Sequence, residues 1–397
     1  MKQETSKKRL SVWRIYLVAL FVFISTGIIF IRLYLLQVSA YEVYRSLSDD
    51  QHLLRKKLVP ARGEIFLYDG SERYPLAVNK EAKMAYAVPR EVENTTEVSR
   101  FIADTFQLDF LKILDKLSKP DDGYEVMKHR LSEEEISKIS VAKYKGLYLS
   151  DESYRYYPSG ELASHVLGFV GWKENSVEGR YGIEEYFENQ LKGEEGKVVQ
   201  TRDTLGRWIS TGKREIVEAK YGDTLVLTLD HIVQYETEKI LRSAVEKFRA
   251  EGGSIIVMDP ETGRVLSMAS YPTFDPNEYS KVEDIASYRN MAISASYEPG
   301  SVFKAITLAA ALDSERIVPE STYVDTVEVR EAGYVIKNSD EKAYGLQTMT
   351  NVLERSLNTG AIYAQKLIGN RNFSEYVKRF GFGEISGIDL TGESSGS

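Results

Sequence analysis

Ser301 and Lys304 are the residues whose types and spacing best fit a chemical role. Pro299-Gly300 leads into the segment from Ser301 to Leu312, in which Lys304 is the one charged residue. A helix that is apolar on all sides is normally buried, and residues three apart share one helix face. Burial disfavours the charged form of a lysine, so Lys304 can take the hydroxyl proton of Ser301 near neutral pH. The pair therefore indicates a serine nucleophile with a lysine base.

The Ser-x-x-Lys spacing is not specific by itself, because it occurs four times in the chain. The other three pairs stand in charge-rich surroundings typical of a solvated surface: Ser140/Lys143, Ser210/Lys213 and Ser339/Lys342. Only the Ser301 pair combines a Pro-Gly entry with an apolar helix. The competing interpretation is an amphipathic lysine whose stem packs while its ammonium group reaches water.

A second polar group, Ser356-Leu357-Asn358, is predicted on a turn between two helices. Ser356 and Asn358 can face the same way while Leu357 anchors the turn. Ser-x-Asn occurs once in the sequence. Taken alone, the segment is more typical of an Asx or Ser turn that closes a helix.

Composition excludes several other classes of site. The net charge of -8 argues against a nucleic-acid partner, which would require a basic face. The chain has no cysteine, so it forms no disulfide and has no thiolate nucleophile. Its four histidines are isolated from one another, which disfavours a zinc site or a histidine-based triad. No metal or organic cofactor is expected. The length of 397 residues predicts two or three domains.

The N-terminal segment is typical of a membrane anchor. Residues 1–11 form a basic tail, and residues 12–36 are apolar over a length that can cross a bilayer. The basic flank predicts a cytoplasmic N-terminus, with the bulk of the chain outside the membrane. Val38-Ser39-Ala40 resembles a cleavage site, so a cleaved signal peptide is the alternative. The length of the apolar run favours the uncleaved anchor.

Residues 37–221 are polar and tyrosine-rich, without a catalytic constellation, and are interpreted as a membrane-proximal spacer or docking module. The pattern predicts a strand beginning near Ile65, charged helices around Glu97–Leu117 and Ser132–Ala142, and an apolar strand at His165–Gly171.

Residues 222–397 are predicted to form a domain of helices against an antiparallel sheet, an α+β arrangement. A strand at 222–230 ends in Asp230, which can cap a helix over 231–248. In that helix the apolar stripe is formed by Ile232, Ile240, Ala244, Val245 and Phe248. A hairpin of strands 254–258 and 265–270 follows.

Taken together, the motifs are more specific than any one of them. In order they are the N-terminal anchor, Arg62-Gly63-x-Ile65, Arg155-x-Tyr157-Pro158-x-Gly160, the Gly253–Pro272 hairpin region, Pro299-Gly-Ser-x-x-Lys304, Ser356-x-Asn358, and Gly381-Phe-Gly383 with Gly387-Ile-Asp-Leu-x-Gly392-Glu393. This series resembles the class B penicillin-binding proteins, the monofunctional peptidoglycan transpeptidases, over essentially the whole chain. The Glu298-Pro-Gly-Ser context favours the division-type, FtsI-like branch.

The resemblance implies a fold and a mechanism. Residues 37–221 would be an elongated mixed α/β pedestal of the dimerisation type, and residues 222–397 a serine β-lactamase-like transpeptidase domain. Ser301 would attack the penultimate D-Ala carbonyl of a stem pentapeptide, and Lys304 would take its proton. Ser356 would relay protons to the leaving group, while Asn358 would hold the substrate amide and Lys304.

The resemblance also implies partners and a location. Expected partners are stem pentapeptides on lipid-linked glycan strands, β-lactams, the membrane, a SEDS-type glycosyltransferase and other division or elongation proteins. A single-pass protein of the cell membrane is expected.

One departure from the family pattern concerns its third motif. Lys-Ser/Thr-Gly, which follows Ser-x-Asn in the family, does not occur in these 397 residues. The expectation is a C-terminally incomplete transpeptidase domain that is itself poorly active. The alternatives are a non-catalytic cell-wall or division scaffold, and a relative that hydrolyses or senses β-lactams.

Overall fold

A computed structural model describes residues 12–40, 53–70, 72–119, 123–173, 176–201 and 214–396. The described residues form two compact units. The first comprises those of residues 1–61 and 192–222, and the second those of 62–191 and 223–397. The predicted basic tail at 1–11 and the Ser210/Lys213 pair lie outside the described residues.

Helices and strands alternate irregularly along the chain. The helices are α1 Val12–Tyr34, α2 Thr95–Phe106, α3 Phe110–Leu117, α4 Glu133–Ala142, α5 Ser164–Leu167, α6 Gly182–Tyr186, α7 Glu188–Leu191, α8 His231–Phe248, α9 Met291–Ser294, α10 Phe303–Asp313, α11 Met349–Glu354, α12 Asn358–Ile368 and α13 Asn370–Arg379. The strands are β1 Leu53–Leu58, β2 Ile65–Asp69, β3 Glu72–Ala87, β4 Glu125–Lys128, β5 Leu147–Tyr156, β6 Phe169–Lys173, β7 Ser176–Arg180, β8 Gly196–Thr201, β9 Arg214–Val217, β10 Leu225–Asp230, β11 Gly253–Met258, β12 Val265–Tyr271, β13 Thr322–Asp325, β14 Glu328–Glu331, β15 Tyr334–Lys337 and β16 Gly345–Thr348.

The first unit contains the predicted apolar helix. Helix α1 continues through a π-helical turn at Leu35–Ser39. Within the described part of the chain, Trp13–Val38 is the one helix that is long and apolar enough to cross a membrane. Its 26 residues correspond to about 39 Å of helix, more than the ~30 Å of hydrocarbon in a bilayer. Strands β1, β8 and β9 of the same unit form an antiparallel sheet.

The second unit contains a five-stranded sheet in the order β10-β2-β3-β4, with β5 paired to the long β3. Strands β10 and β2 are parallel, and the other pairs are antiparallel. Helices α2, α3 and α4 contribute Ile102, Ile113 and Ile139 to a core that also contains Leu147 of β5. The predicted charged helical stretches are confirmed, the first as two helices separated at Gln107, which has a φ of 54°, and each helix buries one face.

Helix α8 follows β10 directly and packs against the β11–β12 hairpin, as the sequence predicts. The Asp230 carboxylate accepts hydrogen bonds from the N–H groups of Ile232 and Val233, both at 3.0 Å, and so caps the helix. Leu241 and Val245 pack on Ala269 of β12. Helix, hairpin and cap agree with the α+β class.

The predicted apolar stripe of α8 is wrong in most positions. The buried residues are Gln234, Thr237, Leu241 and Val245, whereas Ile232, Ile240 and Phe248 are 62%, 59% and 74% exposed and Ala244 is only half-buried. Gln234 occupies the buried face because its amide pairs with the main chain of β12. Its Oε1 accepts from Met268 N at 2.9 Å, and its Nε2 donates to Met268 O at 3.0 Å.

The strand predicted at His165–Gly171 is also partly wrong. Residues Ser164–Leu167 form a short helix, and the strand begins only at Phe169. Ala163, with φ of 56°, and Gly168, with φ of 72°, bound that single turn. A short apolar run has no periodicity that separates a buried turn from a buried strand.

Candidate active site

Ser301 lies at the entrance of helix α10. Gly300 has a φ of 63°, and residues Gly300–Val302 form a 3₁₀ turn that leads into α10. The Ser301 side chain is exposed, and within the described residues its hydroxyl has no hydrogen-bond partner. Val302 and Leu312 are also exposed, so the segment is less deeply buried than predicted. The position leaves the hydroxyl open to a substrate.

Lys304 lies one turn further on and is buried, with 8% of its surface exposed. Its Nζ donates to the main-chain oxygen of Ser356 at 2.6 Å and to the Ser356 hydroxyl at 3.0 Å. Among the described residues it makes no ion pair. Burial lowers the pKa of the Lys304 ammonium, so a larger share of neutral amine is present than for an exposed lysine.

Ser356 and Asn358 flank the buried Leu357, which is the N-cap of helix α12, and Asn358 is the first residue of that helix. Ser356 has a φ of 54°, which turns both of its oxygen atoms toward Lys304. Asn358 is directed elsewhere, since its Nδ2 donates to the main-chain oxygen of Lys337 at 2.7 Å. The structure thus joins Lys304 to Ser356 and places Asn358 against the β14–β15 hairpin.

The sequence reasoning missed a buried polar cluster behind Asn358. Asp325, Asn338 and Thr359 are each 2% exposed and are joined by hydrogen bonds. Asp325 and Thr359 are separated by 34 positions, and no local sequence pattern connects them.

A second network joins two of the motifs to Glu184 in residues 62–184, where the sequence predicts no catalytic constellation. The Glu184 carboxylate, fully buried, accepts from Arg62 Nε and from Arg155 Nε, both at 2.7 Å. Arg155 also donates to Gly63 O at 2.8 Å, and Tyr157 OH donates to Glu184 at 3.2 Å. A Cβ at Gly63 would approach the Asp223 carbonyl oxygen to 1.9 Å. The sequence could have indicated this network, because two Arg-containing motifs in an apolar setting need an acid as their partner.

Metal binding has no support in the described part of the chain, where no group of three or more histidine, aspartate or glutamate side chains could hold an ion.

Two protein-family models match this chain. The model of the penicillin-binding protein dimerisation domain matches residues 57–227, and that of the penicillin binding protein transpeptidase domain matches residues 253–397. The chain belongs to the class B penicillin-binding proteins. The Ser301 segment and the Ser356 turn both fall in the transpeptidase match.

Two relatives of this penicillin-binding protein are stage V sporulation protein D of Bacillus subtilis and the peptidoglycan D,D-transpeptidase FtsI of Escherichia coli. The first is 33% identical over 99% of this chain and 59% of its own length, and the second 30% identical over 97% and 64%. The chain therefore spans about three fifths of the length of these relatives.

The fold has a solved counterpart in the complex of PBP2 with MreC from Helicobacter pylori. The TM-score is 0.71 at 22% identity, over 86% of this chain and 68% of that one. At this identity the likeness supports the penicillin-binding protein fold.

Proposed function

We propose that this chain belongs to a membrane-anchored serine D,D-transpeptidase that cross-links peptidoglycan stem peptides through a Ser301 acyl-enzyme. The observation that carries the proposal is the Lys304 amine. It is buried, is in contact with both Ser356 oxygens, and lies one turn from the exposed Ser301. The comparison with a transpeptidase domain supports the same activity.

The proposed reaction begins at the penultimate D-Ala carbonyl of a stem pentapeptide. Ser301 Oγ forms a bond to the carbonyl carbon while its proton passes to the neutral Lys304 amine. The oxyanion is stabilised by main-chain N–H groups, among them that of Ser301. The carbon–nitrogen bond then breaks, and terminal D-alanine leaves with a proton passed from Lys304 through the Ser356 hydroxyl.

The second half of the reaction resolves the ester. The amine of a neighbouring stem attacks the acyl carbon, its proton returns through Lys304, and Ser301 is released as the cross-link forms. Asn358 is assigned to hold the substrate amide. β-Lactams would acylate Ser301 in place of the stem peptide.

The proposed domain organisation follows the sequence expectation. Residues 12–36 would be the uncleaved anchor, with a cytoplasmic N-terminus. Residues 37–221 would be the pedestal, and residues 222–397 would belong to the transpeptidase domain. Its partners would include a SEDS-type glycosyltransferase and other division or elongation proteins, consistent with the partner protein in the Helicobacter pylori complex.

A fluorescent penicillin tests the proposal on protein expressed from its complete reading frame. Wild type is expected to be labelled in a one-to-one ratio, and Ser301→Ala is expected not to be labelled. Ser140→Ala is the matched control, because Ser140 belongs to another Ser-x-x-Lys pair and its hydroxyl donates to Ile136 O within α4. Labelling that persists in Ser301→Ala would contradict the nucleophile assignment. Wild type that takes up no penicillin would favour the non-catalytic scaffold.

A further inference from the structure

Asp325 is a buried acid whose carboxylate faces hydrogen-bond donors rather than a cation. It is 2% exposed, and among the described residues it has no ion-pair partner. Thr359 Oγ1 donates to Oδ1 at 2.6 Å, and Tyr344 N donates to Oδ2 at 2.9 Å. Asn338 Nδ2 lies 3.0 Å from both carboxylate oxygens. Burial by itself would raise the pKa of Asp325, but these donors outweigh it and lower the pKa, so the acid is ionised at neutral pH.

The Asp325 carboxylate, together with the Lys342 main-chain oxygen 3.2 Å from the same nitrogen, fixes the orientation of the Asn338 amide. Because Nδ2 of Asn338 faces the carboxylate, its Oδ1 must face the opposite way, toward the start of α12. There it accepts from Asn358 N at 3.0 Å and lies 3.4 Å from Thr359 N. The N-cap residue of α12, Leu357, supplies no side-chain acceptor. Asn338 therefore satisfies from another segment the N–H groups that a helix start leaves unpaired.

The same contact also determines where the Asn358 side chain lies. Lys337, the neighbour of Asn338 in the chain, provides the carbonyl that accepts from Asn358 Nδ2 at 2.7 Å. Asn358 is thus held at both its main chain and its side chain. Two positions earlier, Ser356 presents its oxygen atoms to Lys304. If the start of α12 moved, the Ser356–Asn358 turn would move with it, and the contacts between Ser356 and Lys304 would change.

We propose that Asp325, acting through Asn338, is a positioning residue that holds the Ser356–Asn358 turn against Lys304. The inference rests on the proposed function for its effect on acylation, but the hydrogen bonds themselves can be tested separately. Asp325 touches neither Ser301 nor Lys304, so its effect would be transmitted through the geometry of the turn.

The test compares Asp325→Asn, Asn338→Asp and the double variant in protein expressed from its complete reading frame. In Asp325→Asn the charge that orients Asn338 is lost, and in Asn338→Asp two carboxylates face each other. The double variant restores one amide–carboxylate pair, in which an amide at 325 donates to a carboxylate at 338 that still accepts from Asn358 N, although the amide at 325 can no longer accept from both Thr359 Oγ1 and Tyr344 N. Asp340→Asn is the matched control. Asp340 is an exposed acid of the same segment that accepts hydrogen bonds from Lys342 N and Tyr344 OH and none from Asn338.

The first readout is amide hydrogen exchange at Asn358 and Thr359, which does not depend on activity. Exchange in each single variant is expected to be at least about tenfold faster than in wild type, because a charge-assisted contact is lost. The double variant is expected to exchange more slowly than either single variant, and Asp340→Asn is expected to exchange like wild type. Unchanged exchange in Asp325→Asn would overturn the proposal.

The second readout is penicillin acylation, resolved into non-covalent affinity and the acylation rate constant. The rate constant is expected to fall by up to about 10²-fold in the single variants, with affinity retained, because a small misplacement of a positioned group costs this much. A purely structural role would leave the rate constant of the folded protein unchanged, and that result would also overturn the proposal. Failure of Ser301→Ala to abolish labelling would instead remove the proposed function while leaving the exchange result decisive for the hydrogen bonds.

Should Asp325→Asn fail to fold, Asn338→Ala provides a second test. It leaves Asp325 with its donors Thr359 and Tyr344 but removes the acceptor of Asn358 N. Faster exchange at Asn358 supports the proposal, and wild-type exchange overturns it.

Discussion

The second unit buries cations in two places and treats them in opposite ways. Arg62 and Arg155 share the buried carboxylate of Glu184, whereas Lys304 donates, among the residues that the structure describes, only to the oxygen atoms of Ser356. Burial by itself would lower the pKa of Arg62, but the charges of Glu184 and Glu188 outweigh it and raise that pKa. The pKa of Lys304 is lowered, because burial acts there without an acid to offset it. A buried cation with an acid is suited to hold segments together, and one without an acid is suited to exchange a proton.

Replacement of Lys304 by arginine should give the largest effect on activity. The guanidinium group keeps the positive charge but does not lose its proton at accessible pH. We expect the penicillin acylation rate to fall by about 10²–10⁴-fold, the usual contribution of a general base. Because the guanidinium stays charged in a buried site that has no acid among the described residues, some loss in the free energy of unfolding is also expected, and the rate is therefore compared for the folded fraction.

The control for this prediction is Lys366→Arg, a surface lysine of α12 that pairs with Glu331. Its acylation rate should equal that of wild type. If Lys304→Arg is acylated at the wild-type rate, Lys304 is not the base. The lowered pKa of this buried lysine would then have no role in the reaction.

Glu184→Gln should give the opposite result. The glutamine keeps the shape of the side chain but leaves Arg62 and Arg155 buried without their shared charge. Removing one partner of a buried ion pair costs about 3–5 kcal/mol, and we expect a loss of that order in the free energy of unfolding, measured in urea. The acylation rate of the folded fraction should remain near that of wild type.

Glu93→Gln is the control for Glu184, since Glu93 and Lys145 form an exposed pair. No measurable change in the urea midpoint is expected for it. Equal midpoints for Glu184→Gln and wild type would mean that the buried network contributes no stability, and loss of acylation at full stability would give it a role in the reaction.

The two sites also differ in how far the sequence predicts them. Ser301 and Lys304 are three positions apart, so helix geometry alone places them on one face. The apolar character of the segment predicts the burial of Lys304 but not the exposure of Val302 and Leu312. Lys304 and Ser356 are 52 positions apart, and in the sequence only the family resemblance links them.

Long-range side-chain hydrogen bonds account for what the sequence did not predict. Asp325 and Asn338 carry no local pattern, and their function depends on which segments the fold brings into contact. Gln234 shows the same limit in α8, where a polar residue takes the buried face because it pairs with the main chain of β12. Hydrophobic periodicity finds buried apolar faces, and it cannot find a polar residue that is buried by its partners.

Glu238 is a partly buried acid that accepts hydrogen bonds instead of sharing an ion pair. Its substitution should have the smallest effect of the three. Its Oε1 accepts from Ala163 N and Gln234 Nε2, both at 2.7 Å, while the neighbouring Arg242 pairs with Glu161. Burial raises the pKa of the Glu238 carboxyl above its ordinary value of 4.5. A raised folded-state pKa means that this group's contribution to stability is complete below the unfolded pKa and is lost as pH rises through the folded pKa.

Glu238→Gln should therefore stabilise the protein at neutral pH. The glutamine Oε1 can accept the same two hydrogen bonds without a buried negative charge. We expect a gain of up to about 1 kcal/mol in the free energy of unfolding at pH 7, which shrinks as pH falls through the raised folded-state pKa toward 4.5 and is lost below 4.5, where both states of the wild type are protonated. Urea unfolding at pH 4 and pH 7 measures the difference, and Glu161→Gln, whose side chain is exposed, should show no such pH-dependent gain. A loss of stability at pH 7 would place Glu238 with Glu184, as an acid that stabilises the fold through its charge.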